Sequence, residues 1–92
     1  LNKLDFIHRG MQRLYNFKKF KYNTSLFTDW INQAEMIISE NVDLVDVDWY
    51  VAAFVYLSYR RSSQPLTKRQ LMDDFNVSRY KLNTAIEFIL SI

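Results

Sequence analysis

The run VDWYVAAFVYLSYRR, Val47 to Arg61, constrains the fold more than any other stretch of this chain. Trp49, Tyr50, Val51, Phe54, Val55, Tyr56 and Leu57 place apolar surface around the whole circumference of a helix, and a helix of that kind must be enclosed by other helices. Ala52 and Ala53 in its middle leave room for neighbouring backbones to approach. The residues around it therefore have to supply the enclosing layer. Periodicity supplies it: Leu4, Ile7, Met11, Leu14 and Tyr15 predict an amphipathic helix over roughly residues 3–17. Leu26, Phe27, Trp30, Ile31, Ala34, Ile37 and Ile38 form the cleanest apolar stripe in the chain. A cap at Asp46 or Asp48 starts the central helix, after the turn-forming run ENVDLVD.

The second half carries explicit start and stop signals. Pro65 ends the central helix, because it cannot continue one and biases Gln64 toward an extended conformation. Thr67 and Gln70 form a capping box at the start of a fourth helix. Asn76 stands where a left-handed residue is needed after Phe75, and Ser78 caps a fifth helix whose apolar side is Leu82, Ala85, Ile86, Ile89 and Leu90. The expected fold class is all-α: five helices around a central buried helix at about 47–61, closed by a helix-turn-helix-like pair at 67–90. A single glycine and a single proline leave little material for hairpins. Ninety-two residues suffice for one domain with one core. The sequence begins at Leu1 and stops inside an apolar pattern, so the expectation is a fragment of a longer protein.

Composition excludes several functions. With no cysteine and one histidine, His8, neither a disulfide framework nor a zinc site can be built. No glycine-rich phosphate loop is present, and nothing in the sequence assembles the converging reactive groups that acid–base or nucleophilic catalysis needs. The acids at 40–48 lack the spacing and central glycine of a calcium loop. No apolar run approaches the roughly 20 residues of a membrane span. The expectation is a non-enzyme, without metal, cofactor, small-molecule substrate or membrane.

Charge is segregated along the chain. Residues 1–21 carry six basic groups against Asp5, a balance of +5. Residues 22–59 carry six acids and no lysine or arginine, −6, and residues 60–92 return to six basic groups against three acids, +3. Basic ends and an acidic middle suit an anionic partner on one side and a basic one on the other. Asp43 and Asp46 in the acidic middle are candidates for a protein-docking face. In the connector FKKFKYN, Lys18, Lys19 and Lys21 alternate with Phe17, Phe20 and Tyr22. This is a candidate second nucleic-acid patch, since aromatics stack on bases while lysines meet phosphate. The plainer reading pins the rings to the core and leaves the lysines in water.

The pair LTKRQLMDDFNVSRYKLNTAIEFI, Leu66 to Ile89, meets the packing needs of a helix-turn-helix. Counted from Lys68, Leu71, Phe75, Val77, Leu82 and Ala85 occupy the five positions where that motif buries side chains, and NVSR resembles a GVSR repressor turn. Asn76 takes the place of the turn glycine, and Met72 that of the usual small residue, which points to a wider or different helix crossing. Over nearly the whole chain, AAFVYLSYR (Ala52 to Arg60) and PLTKRQLMDDFNVS (Pro65 to Ser78) resemble a cyclin box, and within that superfamily a single repeat of the transcription factor IIB type. The resemblance implies DNA contact by the paired helices, protein partners on other faces, and a place in the nucleus or another site of transcription. By position, Ser78, Arg79, Lys81, Asn83 and Thr84 would face DNA, with Thr67, Lys68 and Arg69 at the phosphate backbone. Two alternatives remain: a cyclin-like module that binds only protein, and a DNA-binding helix-turn-helix domain of unrelated bundle topology. Whatever the function, Ala53→Leu is expected to overpack the enclosed helix and destabilise the fold by roughly 1–3 kcal/mol, read by thermal or urea unfolding. Unchanged unfolding would show that this helix is not central.

Overall fold

The computed structural model describes residues 2–17, 24–40 and 46–92. The described chain forms five helices: α1 (Lys3–Asn16), α2 (Thr24–Ser39), α3 (Val47–Tyr59), α4 (Lys68–Phe75) and α5 (Arg79–Ser91). No strand occurs among the described residues. The caps sit where local chemistry demands them. Asn2 accepts the Asp5 N–H at 2.8 Å to start α1, and Asp46 accepts the Asp48 N–H at 2.9 Å to start α3. The Thr67–Gln70 capping box is reciprocal, and Ser78 takes the Lys81 N–H at the start of α5. Asn76 lies in the left-handed region at φ 53°, and its N–H and that of Val77 both converge on the Met72 carbonyl. An asparagine there loses less than most residues in that conformation, which is why the turn closes without glycine.

Helix α3 packs against all four other helices. Its middle, Val51 to Val55, is buried at every position, as an apolar circumference requires. Its ends are different: Trp49, Tyr50, Tyr56 and Leu57 are only half-buried, so the enclosure covers the centre and leaves rings at the rim. The helix ends at Tyr59, two residues short of the expected boundary. There the turn tightens as the Ser62 N–H reaches the Tyr59 carbonyl at 3.1 Å. The five motif positions Leu71, Phe75, Val77, Leu82 and Ala85 are all buried. Met72 is half-buried at the edge of that junction.

The buried face of α1 is rotated from the one its apolar residues predict. Leu4 is 78 % exposed and Tyr15 is also exposed, while Phe6, Gly10 and Leu14 face the core. Gly10 is the reason. Trp30 of α2 is fully buried across the α1 backbone there and donates its Nε1–H to the Ile7 carbonyl at 3.0 Å. A Cβ at position 10 would overlap the indole at Cζ2, Cε2 and Nε1. A residue without a side chain adds nothing to an apolar count, so the stripe points one face away. On α5, Leu90 likewise leaves the expected apolar side and is 62 % exposed.

Gly10→Ala sets two effects against each other. In an ordinary helix interior it would stabilise by about 1 kcal/mol. Here the methyl would enter the space of Trp30, and overpacking of that kind costs typically about 1–3 kcal/mol, occasionally more. Net destabilisation is expected in urea unfolding, whereas Gln12→Ala on the exposed side of the same helix should shift stability by no more than about 0.5 kcal/mol. A stabilised Gly10→Ala protein would mean that α1 and α2 do not meet at this point.

Candidate nucleic-acid interface

The candidate residues lie on the starts of two adjacent helices, and the fold already uses most of their polar groups. Thr67 and Ser78 are N-caps, with their hydroxyl oxygens on the Gln70 and Lys81 amides at 3.1 and 3.2 Å. The Thr84 hydroxyl donates to the Tyr80 carbonyl one turn back, at 2.8 Å. Lys68 donates from Nζ to Asn83 Oδ1 at 2.8 Å, joining the start of α4 to the second turn of α5, and the same ammonium lies 5.7 Å from the centre of the Tyr56 ring. Lys81 Nζ lies 5.1 Å from the Trp49 ring. Arg69 and Arg79 are exposed.

Helical geometry sorts these groups by direction. At about 100° per residue, the buried residues Leu82, Ala85, Ile86 and Ile89 define the floor of α5. Tyr80, Thr84 and Glu87 then form its crest. Asn83, with Lys68 bonded to it, falls on one flank together with Arg79, and Lys81 falls on the other, about 160° around from Asn83. The rings beneath agree: Lys68 reaches Tyr56 near the end of α3, and Lys81 reaches Trp49 near its start. Helix α5 thus lies across α3 with a lysine on each side. The four candidates on α5, Arg79, Lys81, Asn83 and Thr84, do not share one face; they straddle it.

Tyr80 is the exposed residue that the motif positions did not select. It is 76 % exposed between Arg79 and Lys81 on the crest. The signal was its place off the Leu82–Ala85–Ile86–Ile89 stripe, which leaves an aromatic ring in water. Trp30 is core, whereas Trp49 is half-buried, and its Nε1 is the one buried side-chain polar atom without a hydrogen-bond partner among the described residues. Asp73 and Asp74 are exposed, and Asp74 lines a small groove with Arg13 and Asp48 toward the far end of α4 from Lys68.

The remaining candidates separate. Lys18, Lys19, Lys21 and Asp43 lie outside the described residues. Phe17, at the head of that connector, is buried and stacks on Phe75 at 5.2 Å between ring centres. Asp46 spends its carboxylate on the α3 cap, and Asp48 pairs with Arg13 at 2.7 Å. One basic residue of the N-terminal segment therefore sits directly on the acidic middle. His8 is exposed, and no cluster of three potential metal ligands occurs among the described residues. No described helix is long and apolar enough to cross a membrane. No protein-family model, curated protein or solved structure matches the chain.

The Lys68–Asn83 bond links two helices whose relative placement the site needs. A double-mutant cycle with Lys68→Ala and Asn83→Ala should give a coupling of about 0.5–1 kcal/mol, reduced by the partial exposure of both groups. Arg69→Ala combined with Asn83→Ala should be additive within about 0.5 kcal/mol. Additivity in the first pair would mean that the bond does not tie α4 to α5.

Proposed function

We propose that this chain is a non-catalytic DNA-binding and protein-docking domain of a larger transcription or DNA-transaction assembly, working in the nucleus or another site of transcription. The single observation that carries the reading is the pair of lysines flanking α5. A helix about 10–12 Å across fits a major groove about 12 Å wide, and the two phosphate rims of that groove then run along its two sides. Lys68 and Arg79 on one flank and Lys81 on the other stand at those sides, with Tyr80 and Thr84 on the crest between them. Glu87 lies on the same crest about 10 Å beyond Tyr80, so only the first turns of α5 would enter. Base contact from the N-terminal part of a recognition helix is the usual mode of such pairs. Leaving its ring for phosphate costs each lysine about 0.5–1 kcal/mol, and Lys68 must also keep or exchange its bond to Asn83; a charge-assisted bond to phosphate can offset these costs.

The cyclin-like arrangement belongs to the same proposal, with α3 as the enclosed helix and protein partners on faces away from α5. Two observations favour the rival reading, a cyclin-like module that binds only protein. Lys68 and Lys81 already rest on rings of the fold, and Glu87 places an acid on the crest.

Titrating a fluorescent duplex across a salt series separates the two. Removing a lysine that neutralises one phosphate should flatten the slope of log affinity against log salt by about 0.9. Lys68→Ala and Lys81→Ala should each do so, and should weaken binding alike for unrelated duplex sequences. A double variant that stays folded at the assay temperature yet binds with the same affinity and slope, or a wild-type chain that binds no duplex, would leave protein docking as the function.

A further inference from the structure

A second surface lies at the opposite end of α5 from the proposed DNA contact. Met36 of α2, Leu57 of α3 and Ile89 and Leu90 of α5 line an open groove of about 530 Å³, with Arg60 and Arg61 from the turn after α3 also lining it. The volume is within the range of about 300–1,000 Å³ of clefts that take a ligand. Its apolar walls reach solvent: Met36 is 48 % exposed and Leu90 62 %. Both belong to helices whose other faces are packed in the core, so they are not loose ends of the fold. Gln33 and Ile92 complete the lining; its side chains include no Asp or Glu, and the two charged ones, Arg60 and Arg61, are basic.

We infer that this groove docks an amphipathic helix of a partner protein whose apolar side carries leucine-like anchors and whose flanks are acidic. The chemistry follows from the lining. The apolar side chains that line the groove can be met by side chains at i, i+3 or i+4, and i+7 of one helix face. The two adjacent arginines that line it favour carboxylates on that helix, since guanidinium binds carboxylate in a two-pronged geometry and tolerates partial desolvation better than ammonium. A basic helix would meet two like charges at close range, which selects against it. Nucleic acid fits less well, because a phosphate backbone satisfies the arginines and leaves Met36, Leu57 and Leu90 uncovered. The occupant differs from the basic partner expected of the acidic middle, and the inference stands whether or not α5 meets DNA.

The test uses the chain as it is and a fluorescein-labelled peptide of about 15 residues, helical, with leucines at the anchor spacing and glutamates on both flanks. Saturable binding by anisotropy is expected. An otherwise identical peptide with lysine in place of glutamate should bind at least about tenfold more weakly. Leu90→Asp, at an exposed position, should weaken the acidic peptide about tenfold or more while preserving thermal unfolding. Arg60→Glu with Arg61→Glu should invert the preference between the two peptides. Amide shifts in NMR should cluster on α2 and the end of α5. The inference is overturned if the acidic peptide does not bind, or if the lysine peptide binds equally. It is also overturned if the variants change nothing, or if sedimentation shows the groove closed by a second copy of the chain.

Discussion

The contact of Trp30 with the backbone of α1 at Gly10 sets the geometry on which the other helices depend. A buried indole needs a partner for its N–H, and the Ile7 carbonyl supplies one from a helix that has its second lone pair free. From Trp30 a chain of rings runs through four of the five helices, α1, α2, α3 and α5. Trp30 meets Phe54 of α3 edge-on at 5.5 Å and Phe6 of α1 at 5.7 Å. Phe6 meets Tyr50 of α3 at 5.6 Å, and Tyr50 meets Phe88 of α5 at 5.9 Å. Such pairs contribute about 0.5–1.5 kcal/mol each beyond the area they bury. The path leaves α3, crosses two helices and returns to α3 before reaching α5. An aromatic content of 16 % is what ties so small a bundle together.

Much of this architecture was legible because it is local. The Thr67–Gln70 box, the Ser78 cap and the left-handed Asn76 are decided within a few residues, and the structure places all three as the sequence implies. The enclosed run Val51–Val55 and the five buried motif positions were legible too, since burial leaves its trace in residue type at fixed spacing. The α1 face was not. Its orientation depends on a glycine meeting a tryptophan twenty positions away, and an absent side chain carries no hydropathy. The sorting of the α5 candidates onto two flanks was hidden for a related reason. Spacing says that Lys81 and Asn83 point apart, but only the crossing of α5 over α3 shows that each flank has a ring beneath it.

Helix α5 bears an unusual load for thirteen residues. Its floor closes the core, its first turns carry the proposed DNA contact, and its last turn lines a groove of different chemistry. These demands coexist because they fall on different arcs and ends of one rigid rod. The three-residue turn at Asn76–Ser78 and the Lys68–Asn83 bond join α4 to that rod, which sets the basic starts of both helices side by side. The acidic middle is held in a similar way, with Asp46 capping α3 and Asp48 clasped by Arg13. Charge segregation along the sequence is thus partly undone in space.

The half-buried Trp49 beneath Lys81 gives the molecule an optical asymmetry. The chain has two tryptophans, and Trp30 is sealed among rings with its N–H bonded to a carbonyl. Its ring is out of contact with solvent. Trp49 has an ammonium over its ring and reaches solvent at the bundle rim. Any anion that draws Lys81 away changes the field across that indole. The two indoles therefore differ in environment: Trp30 follows the integrity of the core, and Trp49 lies where an anion meeting Lys81 would be felt.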